Sequence, residues 1–177
     1  MLFERLALLF LALGLAAPGQ AQPLVASEAS LQAALLANFA IFTEWPALPT
    51  GVAAAEKISF CVLASPDVAE ALLNRQKKSI NGRTIEVNTI TSNTQTTSCQ
   101  VLFVGAPGHA KIREISRLAR TTPLLLVAEE NGFDPKDVTI SLRLQDGRYT
   151  FKINLTAARA SSLTLSSKLL RLAEQVY

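Results

Sequence analysis

The chain has 177 residues, and its 17 lysines and arginines against 14 aspartates and glutamates give a formal charge of +3 that is scattered along the sequence. No basic run is interleaved with aromatics, which argues against a nucleic-acid surface. One histidine and two cysteines, with no Cys-x-x-Cys pair, argue against a metal centre built from nitrogen and sulfur ligands.

Residues 1–21 read as a secretory signal peptide. A short charged start (Glu4, Arg5) precedes an apolar run over 6–17, and small residues follow at Gly19-Gln20-Ala21. The run is too short to span a bilayer. An uncleaved anchor is the alternative, because the start carries a single basic side chain. Residues 22–177 then suit a single domain with a substantial core.

Ser27 is placed to cap a helix over 28–42. Along it Leu31, Leu35, Phe39 and Phe42 recur at i, i+4, i+8 and i+11, and Ala34, Ile41 and Trp45 mark a second stripe. A helix apolar on two sides is either sandwiched inside a domain or keeps one face for a partner. Pro46 disfavours helical geometry at Trp45, so the sole tryptophan stands where the helix gives out. It is a packed plug or a binding surface.

A buried strand is expected over 58–63, then a helix from Pro66 to about residue 76, with Arg75, Lys77 and Lys78 at its end. The Asn81-Gly82 turn leads to a strand over 84–90, and 91–98 is a loop or frayed helix. The apolar run 101–104 reads as a strand covered on both faces. Gly105-Ala106-Pro107-Gly108 precedes a helix with Ile112, Ile115 and Leu118 on one face, and 123–127 is another strand. This alternation predicts an α/β fold: a mostly parallel sheet with flanking helices. Alternating residues over 138–144, the Asp146-Gly147 turn and a return over 149–153 predict an antiparallel C-terminal edge hairpin. The chain should close with one long helix, its core stripe Leu165, Leu169, Leu172 and Val176 opposite Lys168, Arg171 and Gln175. In an exported chain Cys61 and Cys99 read as a disulfide. Such a bridge brings the first and third strands together, as in the 2-1-3 order of flavodoxin-like sheets.

Catalytic signals are sparse. His109 follows a glycine-containing loop of the kind that binds anions at helix N-termini, yet the loop matches neither a dinucleotide fingerprint nor a phosphate loop. No Gly-x-Ser-x-Gly elbow accompanies it. Glu129, Glu130, Asp134 and Asp137 flank the Asn131-Gly132 turn and could gather a cation, but their spacing is not that of an EF-hand. Asn154-Leu155-Thr156 matches a glycosylation sequon, with Asn154 reading better as a helix cap. Arg159 and Lys168 either pair with Glu44 or stay in water. No cofactor is implied.

The segments A-N-F-A-I-F-T-E-W-P, F-C-V-L, I-N-G-R-T-I-E-V, C-Q-V-L-F-V and F-K-I-N-L-T-A-A-R-A-S-S-L-T-L-S-S-K-L-L-R-L-A together resemble the YfiR family, in the family's order and over nearly the whole chain after residue 21. The resemblance implies a small, often homodimeric Gram-negative periplasmic protein without enzymatic activity. It would repress an inner-membrane diguanylate cyclase through that enzyme's periplasmic domain, lowering cyclic di-GMP and biofilm formation. In some systems an outer-membrane lipoprotein sequesters the repressor. Cys61 and Cys99 fall where some members carry a structural disulfide. The second cysteine pair of better-known members, near Glu130 to Val138, is missing, so redox switching by that pair is not expected.

A regulator of this kind needs an apolar patch with a polar rim. Phe39, Phe42, Trp45, Leu163 and Leu165 are the expected patch, or a small aromatic pocket. A single-lobed module holding a small aromatic or anionic solute near Trp45 is the second reading, and a hydrolase using His109 the third.

Overall fold

The computed structural model describes residues 27–46, 56–76 and 79–177. The expected signal peptide, and Lys77 and Lys78 at the end of the second helix, lie outside the described residues.

Runs rich in Val, Ile, Leu and Phe build one eight-stranded sheet. Its main strands are β2 (Lys57–Leu63), β4 (Arg83–Ile90), β5 (Val101–Val104), β6 (Leu125–Glu129), β7 (Ile140–Gln145) and β8 (Arg148–Ile153). Two short strands, β3 (Ser79–Ile80) and β10 (Gln175–Val176), complete it, in the order β10-β8-β7-β6-β5-β2-β4-β3. From β4 to β7 all pairings are parallel, and β2 lies between β4 and β5. This is the expected 2-1-3 arrangement. The disulfide has the same consequence: Cys61 on β2 is bonded to Cys99 just before β5, with Cα atoms 5.7 Å apart.

The strand period of two divides the core. On β5, Val101 and Phe103 join a cluster beneath α1 (Glu28–Ile41) and α2 (Pro66–Leu73), while Leu102 and Val104 join the opposite cluster with Ile112 and Ile115 of α3 (Ile112–Ala119). All four β5 side chains are buried, as a strand covered on both faces requires.

The first helix begins at its Ser27 cap, whose hydroxyl accepts from the Ser30 N–H at 3.2 Å. Its buried face, however, is Gln32, Ala33, Leu36, Phe39 and Ala40, and Leu31 is exposed. The spacing of the bulkiest side chains in the sequence points to a different face. The sheet instead receives Ala33 and Ala40, whose small size permits close approach, and Phe39, edge-on to Phe151 with ring centroids 5.0 Å apart. Gln32 tolerates burial because its amide donates to the Glu129 carboxylate.

The C-terminal region differs most from expectation. The β7–β8 hairpin forms, with Asp146 and Gly147 at φ of 50° and 74°, the pair of positive values that a tight hairpin turn requires. It is not the sheet's edge, because β10 adds in parallel beyond β8. Nor is there one long closing helix: the chain makes α4 (Leu155–Ala160), β9 (Thr164–Leu165), α5 (Ser167–Leu172) and β10. Asn154 caps α4, its Oδ1 accepting from Ala157 N–H at 2.9 Å, and Ser162 at φ 55° ends that turn of chain. Ser166 then caps α5 by accepting from Leu169 N–H at 3.3 Å. Polar caps thus overrule an apolar spacing. Leu165 and Leu169 are buried, but Leu172 is 69% exposed. The ribbon of β9 with β1 (Thr43–Glu44) is antiparallel and separate from the main sheet.

Glu130, beyond β6, ties the hairpin down. It accepts from Arg143 Nε and Nη2 at 2.9 and 3.0 Å and from Lys152 Nζ at 2.7 Å. Burial by itself pushes the Glu130 carboxyl up, but the hydrogen bonds and charges of Arg143 and Lys152 outweigh it and hold the group below the ordinary glutamate range.

A folded-state value below the unfolded one means that this cluster stabilises the fold above the ordinary glutamate pKa of about 4.3, and the contribution disappears as pH falls through the folded value. Glu130→Gln should therefore lower the thermal midpoint at neutral pH, with the gap to the parent closing in acid; a gap independent of pH would contradict this. Reducing Cys61–Cys99 should remove roughly 4 kcal/mol in the chain-entropy model and lower the midpoint by on the order of 10 °C, measured by thermal unfolding with and without a thiol reductant.

Candidate functional site

At the C-terminus of α1, Thr43 Oγ1 donates to the Phe39 carbonyl at 2.7 Å, and Ser166 N–H donates to the Phe42 carbonyl at 2.9 Å. Register in the β1–β9 ribbon pairs Thr43 with Leu165 and Glu44 with Thr164. The chain therefore leaves the helix extended, and Trp45 follows a strand residue instead of ending a helix. Its indole is half-buried, and Nε1–H donates to the Pro123 carbonyl at 3.0 Å. Trp45 and Pro46 wall a cavity of about 430 Å³ that also takes in Lys57, Glu86, Gln100 and Pro123. Lys57 and Glu86 form an exposed ion pair across β2 and β4 at 3.3 Å.

Of the five residues expected to form an apolar patch, three are core. Phe39 is 1% exposed, Leu163 4% and Leu165 7%. The Phe151 contact holds Phe39 inward, and Leu163 and Leu165 pack into the same cluster beneath the helices. Phe42 and Trp45 remain half-exposed, beside the exposed Ile41. The surface at this helix end is thus Ile41, Phe42 and Trp45, rimmed by Glu44. Nothing local in the sequence marks Pro123, Gln100 or the Lys57–Glu86 pair, because they arrive from separate segments and none carries a motif.

Open parallel sheets bind ligands beyond the carboxyl ends of the strands, where the strand order reverses. Here that point lies between β2 and β5, and it is filled. A Cβ on Gly105 would meet the Ala64 carbonyl oxygen at 2.6 Å, and one on Gly108 would meet Val104 Cγ1 at 2.9 Å. The two loops pack against each other, so the glycines serve close approach and not an anion. His109 follows in a 3-10 turn, edge-on to Phe133 with centroids 5.0 Å apart. Its Nε2 is buried and has no hydrogen-bond partner among the described residues.

The carboxylates near Asn131 are engaged within the protein. Glu129 accepts from Gln32, Glu130 is ion-paired twice, and Asp134 caps the following turn by accepting from Lys136 N–H at 3.0 Å. The connection that follows is turn-rich and solvated, with Asn131, Gly132 and Asp134 exposed, while Glu129 and Glu130 at its start are bonded within the fold. Among the described residues no group of three or more His, Cys, Asp or Glu side chains is arranged to hold a metal ion. Neither Arg159 nor Lys168 pairs with Glu44 among them. No helix among them is long and apolar enough to cross a membrane.

Among solved structures the chain is similar to a conserved domain protein from Vibrio cholerae O1 biovar El Tor, with a TM-score of 0.52 and 15% identity, over 85% of this chain and 60% of that one. At that identity the likeness shows the fold alone, and this chain spans about three-fifths of that protein's length. No protein of curated function matches significantly. The family model described as YfiR/HmsC-like matches residues 29–174, from the first helix to just before β10. The chain therefore belongs to the YfiR/HmsC-like family.

Proposed function

We infer that this protein is a periplasmic regulator in cyclic di-GMP signalling that acts by protein contact, without making or breaking bonds. Family membership supports the regulatory role, the periplasmic location and a membrane-associated partner, and is consistent with a non-catalytic protein. The finer reading is that it represses an inner-membrane diguanylate cyclase by binding its periplasmic domain. Homodimer formation, and sequestration by an outer-membrane lipoprotein, belong to the same reading. Residues 1–21 are the signal peptide, and 22–177 the exported domain.

The observation that carries this reading is the fixed indole at the end of α1. Trp45 is partly exposed yet tied to Pro123, next to the exposed Ile41. An aromatic held in place before binding loses little freedom on association, the usual property of an interface anchor. Repression requires tighter binding to the inactive cyclase conformation than to the active one. The cavity walled by Trp45 favours the second reading, a small aromatic or anionic solute held there.

Fluorescence of the sole tryptophan separates the two. A saturable shift is expected with the cyclase's periplasmic domain; a shift with small metabolites alone would favour solute binding. Trp45→Ala should weaken cyclase binding by roughly thirtyfold, as loss of an anchor worth about 2 kcal/mol implies. The same variant should fail to lower cyclic di-GMP in a strain lacking the parent gene. Mass spectrometry of protein from the periplasmic fraction should find a chain beginning near Gln22, and an intact Met1 would contradict the export reading.

A further inference from the structure

The two ends of the main sheet differ. At one end β10 is 2 residues long, too short to template a further strand. At the other β4 runs for 8 residues, and β3 covers only its start, pairing Ile80 with Arg83 and Ser79 with Thr84. The Thr84 N–H donates to the Glu56 carbonyl at 2.8 Å, on the β2 side. Backbone groups alternate in direction along a strand, so Glu86 and Asn88 also point to β2, while Val87 and Thr89 point away from it. Among the described residues no backbone group pairs with Val87 or Thr89 on that outer side.

An open edge of this kind is a template for another strand, and soluble proteins normally guard it with lysine, proline or a bulge. The stretch Val87-Asn88-Thr89-Ile90 has no charge and no proline, and its register with β2 runs from Thr84 to Ile90 without a bulge. Val87 is half-buried and Thr89 exposed, and both are β-branched, as strand pairing favours. The nearest charged side chain on the strand is Glu86, which is already paired with Lys57 at 3.3 Å.

We propose that this edge is where two copies of the chain join, β4 pairing antiparallel with β4 of a second copy so that the two sheets become one. The inference rests on the homodimer reading given above and supplies its surface. A two-fold interface must be self-complementary, residue i meeting j while j meets i. An axis through Asn88 meets that condition. Val87 faces the partner's Thr89, Thr89 faces the partner's Val87, and these outward-pointing residues exchange backbone hydrogen bonds. Asn88 then faces the partner's Asn88 and Glu86 the partner's Ile90, so no like charges oppose each other. β3 at one end and the 3-10 turn Asn93–Ser98 at the other confine the pairing to residues 85–91. A second copy is the fitting occupant because it brings the same unguarded strand, matched in length and charge.

Sedimentation velocity of the purified protein at micromolar concentration should show a dimer. Thr89 is exposed, so Thr89→Lys places a charge on the edge without disturbing the core, and it should weaken the dimer at least about tenfold. Asn88→Cys puts two thiols across the axis in a non-hydrogen-bonded pair, where Cα atoms lie about 4.5 Å apart and within disulfide reach. Mild oxidation should then give a covalent dimer on a non-reducing gel, with no competition from Cys61 and Cys99, which are bonded to each other. Val87→Cys, facing a threonine, should not crosslink. If the lysine variant folds poorly, the two cysteine variants decide the matter alone. A parent that is monomeric at every concentration overturns the homodimer reading and this inference with it. A dimer that survives Thr89→Lys, or in which Asn88→Cys crosslinks no better than Val87→Cys, overturns the edge pairing alone. Loss of cyclase binding in a Thr89→Lys variant that stays dimeric would do so too, by giving the edge to the cyclase.

Discussion

The edge-on contact of Phe39 with Phe151 joins the first helix to the hairpin that closes the parallel sheet, and the rest of the molecule is arranged around that joint. Burying a phenyl ring contributes about 1.5–3 kcal/mol, but its larger effect is geometric. With Phe39 turned inward, the helix lies close to the sheet on Ala33 and Ala40, and its C-terminus is carried to the β1–β9 ribbon. Ile41, Phe42 and Trp45 are left outward as a consequence. A helix rolled to bury Leu31 and Phe42 would have turned that surface into core.

The joint is supported from both sides. Cys61–Cys99 clamps β2 to the segment entering β5, and the Glu130 cluster ties the end of β6 to β7 and β8. Between them the crevice that parallel sheets use for ligands is closed by the packing of Gly105 and Gly108 on neighbouring chain. A fold that elsewhere houses chemistry at its switch point here presents packed loops, and its half-exposed tryptophan stands at the other end of the sheet.

Much of the sheet was legible because its signals are local. β5 and most of β6 are continuous apolar runs, β2 is one interrupted only by Ser59 after its first residue, Asn81-Gly82 and Asp146-Gly147 are turns by composition, and the alternation of strand and helix favours right-handed parallel crossovers. The caps Ser27 and Asn154 were legible for the same reason, since each bonds a backbone N–H three residues on. The closing segment was not. Leu165, Leu169, Leu172 and Val176 follow helical spacing, but Ser161, Ser162 and Ser166 break the chain, and β10 forms because β8 offers it backbone partners from a distant part of the sequence.

The candidate face divides in the same way. Sequence alone determined that the helix ends by about residue 42 and that aromatic residues crowd around its end, because residue spacing acts within a few positions; it did not show the short strand that separates the helix from Trp45. Tertiary structure decided which of those aromatics face water: Phe39 found Phe151 more than a hundred residues away, while the Trp45 indole found the Pro123 carbonyl. Helical periodicity specifies the relative angle between side chains, but the angle at which the helix rests on its sheet depends on partners that no local pattern contains.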